Sequence, residues 1–344
     1  MTASLFSPYR MKGLELRNRV VMAPMCQYSV EAKDGKPNEW HYVHYVSRAV
    51  GGTGLIIIEM TDVHPDGRIT DFDLGLWSDE QVPAFARIIE RVHAHGSKVG
   101  IQIAHAGRKA EDAEVPVAPS AIKFPGDRYR MPRALTTDEV KQMAGWFGDA
   151  ARRAVQAGVD MIELHGAHGY LIHQFQSALT NQRDDEYGRD LARFGVEVTQ
   201  AVRKEMPADM PLFFRISAVE YADGGYDIDH AIRLARAYRE AGVDVFHVSS
   251  GGEGPFGARR PGGHPGYQVP LARAIREALE VPVVAVGRLE EPALAEAVVA
   301  NGDADLVAVA RGMLKDPYWT THAALALGVK PEDAGIPKQY ERGY

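Results

Sequence analysis

"AGVDMIEL", residues 157–164, holds a helix that runs out at Ala157, a glycine that ends it, and an apolar run that starts up again behind Asp160. Glycine just past a helix takes the left-handed backbone that closes the last turn, so the run that follows reads as a strand. The same grammar returns as "AGVDVFHV" at 241–248 and "NGDADLVAV" at 301–309. Outward from these junctions, short β-branched runs lie at 19–24, 54–60, 98–105, 160–166, 211–217, 244–250, 282–287 and 305–311. Nearly continuous apolar runs suit parallel strands buried on both faces. Between them lie amphipathic helix patterns at 78–96, 136–158 and 229–242, the first with Ser78 placed to cap its start and Gly96 to end it. About eight such units favour an α/β fold of the (β/α)8 TIM-barrel type over a doubly wound sheet. The first βα turn, "APMCQYSVEAKDGKP" at 23–37, carries no G-x-G-x-x-G fingerprint, which weakens the dinucleotide-fold alternative further. Residues 5–16 predict a small hairpin plugging the barrel bottom. The Pro- and Gly-rich stretch 106–135 predicts an excursion over the active face after the third strand. One domain is expected over residues 1–344.

Composition narrows the function classes. The 344 residues are 45% hydrophobic and 25% charged, with a formal net charge of -7, and Lys and Arg are spread along the chain. No basic stripe for nucleic acid and no polybasic membrane anchor is present. Small molecules, or copies of the chain itself, are the expected partners. Cys26 is the single cysteine, which excludes an intrachain disulfide and any Cys-rich metal or iron–sulfur site. With no apolar signal segment at the start and no membrane-length apolar run, the expected location is the cytoplasm.

A barrel of this kind builds its site from the C-terminal ends of its strands. Those ends hold Cys26 and Tyr28, Met60, Gln102 and His105, His165, His168 and Tyr170, Arg215, Ser249, Gly287 and Arg288, and Ala310 and Arg311. "VAVGRLEEP" (284–292) and "VAVARGMLKDP" (307–317) offer close-approaching backbone N–H groups and two guanidinium forks after strands seven and eight. These favour a phosphorylated ligand over ordinary turns with surface arginines. Arg215, in "FFRIS", is either paired with a distant acid such as Glu163 or faces an anionic or carbonyl-bearing group. A heteroaromatic cofactor bearing carbonyls would satisfy both Arg215 and Gln102. "HGAHGY" at 165–170 allows three readings: a metal site, turn histidines, or a pair of donors aimed at a substrate oxygen. Zinc needs three or four ligands, and no third stands at an obvious strand end. Lys109, in "AGRKA", could in principle form a Schiff base, but Arg108 beside it in a loop suggests solvent. His44 and Tyr45 are placed on a helix surface, and His173 is taken as packing.

Several stretches together, "PMCQY" (24–28), "GIQIAHAGRKA" (100–110), "HGAHGYLIHQF" (165–175), "LFFRIS" (212–217) and "QYERGY" (339–344), resemble the old yellow enzyme family, in its thermophilic-like bacterial subclass. The likeness runs from "LFSP" near the start to the last residue. It implies an FMN-containing (β/α)8 barrel that takes hydride from NADPH or NADH and passes it to the β-carbon of an α,β-unsaturated carbonyl or nitro compound. By this resemblance Ala23, Pro24, Met25 and Cys26 would lie along the flavin, and Met60, Gln102 and Arg215 would contact its ring. Gly287, Arg288, Ala310 and Arg311 would hold its phosphate. His165 and His168 would then bind the substrate oxygen, Tyr170 would protonate the α-carbon, Tyr28 would add a hydrogen bond over the flavin, and Cys26 would tune potential without acting as a nucleophile. Ala23 departs from members that carry Ser there, which removes one possible hydrogen bond to the ring. The tail 328–344 would reach a neighbouring subunit and bring Arg342 to its site, implying a homodimer or homotetramer. Two alternatives from other classes are a metal-dependent or Schiff-base barrel lyase and a noncatalytic barrel that binds a phosphorylated ligand.

Overall fold

The computed structural model describes residues 4–255 and 261–344. Among them, strands β1 (Val20–Met22), β2 (Leu55–Asp62), β3 (Lys98–Ala104), β4 (Met161–Gly166), β5 (Leu212–Ser217), β6 (Val245–Ser249), β7 (Val283–Val286) and β8 (Leu306–Val309) pair in parallel in chain order, and β8 pairs back onto β1. The sheet is therefore a closed eight-stranded barrel, as the repeated junctions predicted. Helices follow the strands in turn: α1 (Glu39–Val50), α2 (Val82–Ala94), α3 (Thr137–Ala157), α4 (Arg193–Glu205), α5 (Ile228–Ala241), α6 (Val269–Leu279), α7 (Pro292–Ala300) and α8 (Trp319–Ala326). No described helix is long and apolar enough to cross a membrane.

The junctions show why the pattern repeats. Gly158 takes φ 94° at the end of α3, and its N–H closes on Ala154 and Val155. The aspartate behind each glycine then ties its own strand to the preceding one. Asp160 accepts the Val99 N–H at 2.8 Å, Asp244 the Leu212 N–H at 2.9 Å, and Asp305 the Val283 N–H at 3.0 Å. In each case a backbone donor at a strand start is satisfied where no neighbouring strand reaches it.

Side chains alternate across the strands. Ile162, Leu164, Phe214 and Ile216 face outward into the large core shared with the helices, whereas Met161, Phe213 and Val245 face inward. The N-terminal hairpin, Tyr9–Met11 against Leu14–Leu16, is observed where it was expected. Its Leu14 and Leu16 pack on the inward layer and close the barrel bottom, each burial contributing about 1.5–3 kcal/mol. Strand β2 carries an irregularity between Ile58 and Thr61 relative to β3. The extra residue reverses the alternation, so Glu59 turns outward to Tyr45 and Met60 joins Cys26, Ala104 and Tyr170 at the top of the barrel.

One expectation is corrected here. His44 and Tyr45 are buried, at 4% and 1% exposure. The Tyr45 hydroxyl donates to Glu59 Oε2 at 2.5 Å and accepts the Glu59 N–H at 3.0 Å. An outward-turned carboxylate needs a partner inside α1, and Tyr45 supplies it.

Candidate active site

Above the apolar plug, the next inward layer is polar: Gln102 from β3, Glu163 from β4, Arg215 from β5 and His247 from β6. Gln102 Nε2 donates to Glu163 Oε1 at 2.7 Å, and the other Glu163 oxygen meets His247 Nδ1 at 2.8 Å. Glu163 is thereby occupied. Arg215, 7% exposed and level with His165 and His247 in the strand register, makes no ion pair among the described residues, and its Nε has no hydrogen-bond partner. The salt-bridge alternative for Arg215 is not what the chain forms. A buried guanidinium without an acceptor is costly, and its donors suit a carbonyl-bearing or anionic ligand.

The "HGAHGY" turn sits at the top of β4. The Ala167 N–H points to His165 Nδ1 at 3.3 Å, which leaves the proton on Nε2. His168 and Gly169 both take left-handed backbone, φ 60° and 74°, and this reverses the chain so that three rings converge. His165 lies 5.2 Å from His168 and 4.8 Å from Tyr170, both edge-on. His168 Nε2 meets the Ser249 hydroxyl at 2.7 Å. Burial first, and the Arg215 charge second, hold both imidazoles well below the usual histidine range, so both are neutral near pH 7. Burial likewise pushes the Tyr170 phenol well above its usual range and keeps it protonated. Among the described residues the one group with metal-ligand spacing, His173 with Glu220 and Glu253, includes neither His165 nor His168.

Around this centre the other predicted residues fall as follows. Ala23 is buried, and its N–H bonds to Val309 O at 3.1 Å. Pro24, Met25 and Cys26 continue the loop from β1, and the Gln27 N–H anchors it on Glu59 at 2.8 Å. Cys26 packs with Met60 and Tyr170, and burial raises its thiol well above the usual range. It is a thiol here, not a thiolate. Tyr28, 47% exposed, shares with Lys109, Arg128, Tyr129 and Tyr170 a cavity of about 360 Å³. The excursion 106–135 thus passes over the active face, as predicted. Lys109 is not the solvent-facing residue expected from its neighbour. Its ammonium is half-buried and donates to His168 O at 2.7 Å and Gly252 O at 2.5 Å, and burial lowers its pKa to about 8.

At the ends of β7 and β8 the four predicted phosphate residues lie together. Gly287 has φ 121°, a positive value that glycine alone adopts without strain. Arg288 and Arg311 line one cavity with Glu290 and Lys315, and Ala310 opens the short helix Arg311–Lys315. Arg342 is exposed, on a tail whose Tyr340 ring lies against Tyr318. Sequence reasoning missed His247 and Gln268. Alternation along "DVFHVSS" carried the signal for His247, because Val245, His247 and Ser249 share one face.

A family model described as the NADH:flavin oxidoreductase / NADH oxidase family matches residues 4–328. The chain is 46% identical over 347 residues to an NADPH dehydrogenase of Halalkalibacterium halodurans, covering 100% of both chains. It is 45% identical over 345 residues to one of Listeria innocua, covering 99% of each. Among solved structures, morphinone reductase matches with TM-score 0.83 at 28% identity, over 97% of this chain and 93% of that one. An old yellow enzyme homologue from Zymomonas mobilis matches with TM-score 0.80 at 29% identity, over 92% of this chain and 90% of that one.

Proposed function

Because the chain belongs to the NADH:flavin oxidoreductase / NADH oxidase family and is an FMN-dependent NADPH dehydrogenase, we propose that it reduces alkenes activated by an adjacent carbonyl or nitro group. The observation that carries this reading is the convergence of two neutral imidazoles and a protonated phenol at one strand end. Residues 23–26, Met60, Gln102 and Arg215 would hold the flavin ring, and Gly287, Arg288, Ala310 and Arg311 its phosphate. The unpartnered Nε of the buried Arg215 and the cavity that Arg288 shares with Arg311 support that assignment. Bound there, FMN would supply the hydride chemistry, with NADPH as the source of reducing equivalents and the alkene β-carbon as the acceptor.

The chain's own residues do the rest. A neutral imidazole keeps one N–H, and the His165 proton lies on Nε2, the nitrogen the Ala167 N–H does not engage. Donors from His165 and His168 at the substrate's oxygen stabilise the negative charge that grows there as the β-carbon is reduced. Tyr170 then gives its phenolic proton to the α-carbon, a general-acid step. The Tyr28 hydroxyl at the cavity mouth adds a further donor, and Cys26 acts as a neutral thiol beside the ring site. Arg342 of a neighbouring copy would close the cavity, in a homodimer or homotetramer. The single free cysteine and the NADPH requirement suit the cytoplasm. A Schiff-base lyase would need a free amine, and Lys109 is held by two carbonyls.

The test is the His165→Ala/His168→Ala variant. FMN should remain bound, while reduction of 2-cyclohexenone falls by about 100-fold or more. Wild-type turnover in that variant would overturn the assignment.

A further inference from the structure

We propose that His173 is a positioning residue for this site, which aims the His168 imidazole and the Tyr170 phenol by holding the backbone N–H of Gly169 between them. The inference rests on the roles given above to His168 and Tyr170. His173 is fully buried on the short helix Leu171–Gln176. Its Nδ1 accepts the Gly169 N–H at 2.9 Å, so the ring proton lies on Nε2. There the Tyr226 hydroxyl, which donates to Ser217 O at 2.7 Å and is therefore an acceptor, stands 2.9 Å away. Glu220 Oε1 lies 3.2 Å from the same nitrogen, and the other Glu220 oxygen is fixed by the Tyr226 N–H at 2.8 Å. The tautomer is set from both sides.

The remaining backbone groups of the turn are held by other residues. The His168 N–H goes to Ser217 Oγ at 3.0 Å, its carbonyl to Lys109, and the Gly169 carbonyl accepts from Gln174 Nε2 at 2.8 Å. Without His173 the Gly169 N–H would be the one left unpaired, inside two consecutive left-handed residues. An unpaired buried donor in strained backbone is where a turn relaxes first.

The same cluster contains ligand types a cation could use, since His173, Glu220 and Glu253 bring one atom each within 4.8 Å of one another. Two contacts argue against it. The Nδ1 lone pair already accepts Gly169, and the Arg108 guanidinium sits 2.7 Å from Glu253. The first is the contact a positioning role needs, and the second already balances the charge of the Glu253 carboxylate.

The test compares holoenzyme variants His173→Leu, His173→Asn and Tyr170→Phe in anaerobic reoxidation by 2-cyclohexenone. With FMN content retained, His173→Leu should lower kcat by about tenfold or more, because misplacement near 1 Å costs up to about 100-fold. His173→Asn, whose side-chain oxygen can accept from Gly169, should recover to within about threefold of wild type. Nitrogen NMR of wild type should show Nδ1 unprotonated and Nε2 protonated, a reading that survives even if the leucine variant fails to fold. Normal kinetics in His173→Leu with a slow Tyr170→Phe would overturn the inference alone. A normal Tyr170→Phe would overturn the reading beneath it. Stoichiometric divalent metal whose removal by a chelator slows the enzyme would also overturn it.

Discussion

His168 and Gly169 carry much of the site in two dihedral angles. Both residues take positive φ, and a Cβ on Gly169 would lie 2.3 Å from Gly252 O. Gly169→Ala should therefore cost about 1–2 kcal/mol in backbone strain alone, lower the melting temperature, and slow alkene reduction by about tenfold with FMN still bound. A variant that melts and turns over like wild type would contradict this. The residues of "HGAHGY" were legible as chemistry, because two histidines without a third ligand suit donors better than metal. The left-handed His168 was not, since few non-glycine residues adopt that backbone and the ties to Ser217 and Lys109 that help hold it form only in the folded barrel. Arg215 was open between two partners in the sequence. The competition that decided it, Gln102 and His247 on the two oxygens of Glu163, depends on four strands meeting inside the barrel.

Strand β2 shows what element-scale pattern conceals. "GLIIIEM" is apolar on both faces up to Glu59, so it gives no alternation from which to read the irregularity after Ile58 that turns Met60 inward and Glu59 outward. The buried Tyr45 was hidden for the same reason: "WHYVHYVSRA" has no clean apolar stripe. Burial raises the Glu59 pKa from 4.5 to about 8. Between those values the folded chain holds a proton that the unfolded chain has released, so stability is fully present below about pH 4.5 and falls as pH rises toward 8. Glu59→Gln mimics the protonated form and should narrow the difference in melting temperature between pH 5 and pH 8, by about 2 °C for each kcal/mol removed. An unchanged difference would show that Glu59 does not titrate in that window.

At the scale of the whole molecule, the barrel was readable because one local grammar repeats, and Asp160, Asp244 and Asp305 do the same job at each repeat. What one chain cannot encode locally is its neighbour. Arg342 is exposed on a tail that lies along its own chain's Tyr318, and its proposed work is in the adjacent copy. Deleting residues 339–344 should raise KM for the alkene by about tenfold, the scale of one charged hydrogen bond, without loss of FMN; unchanged kinetics would refute the shared site. The most direct test of the central claim is the anaerobic return of flavin absorbance after the NADPH-reduced enzyme is mixed with 2-cyclohexenone, in wild type and in Tyr170→Phe. The account predicts full return in wild type and a rate about 100-fold lower in the variant. No return in wild type, or equal rates in the two proteins, would contradict it.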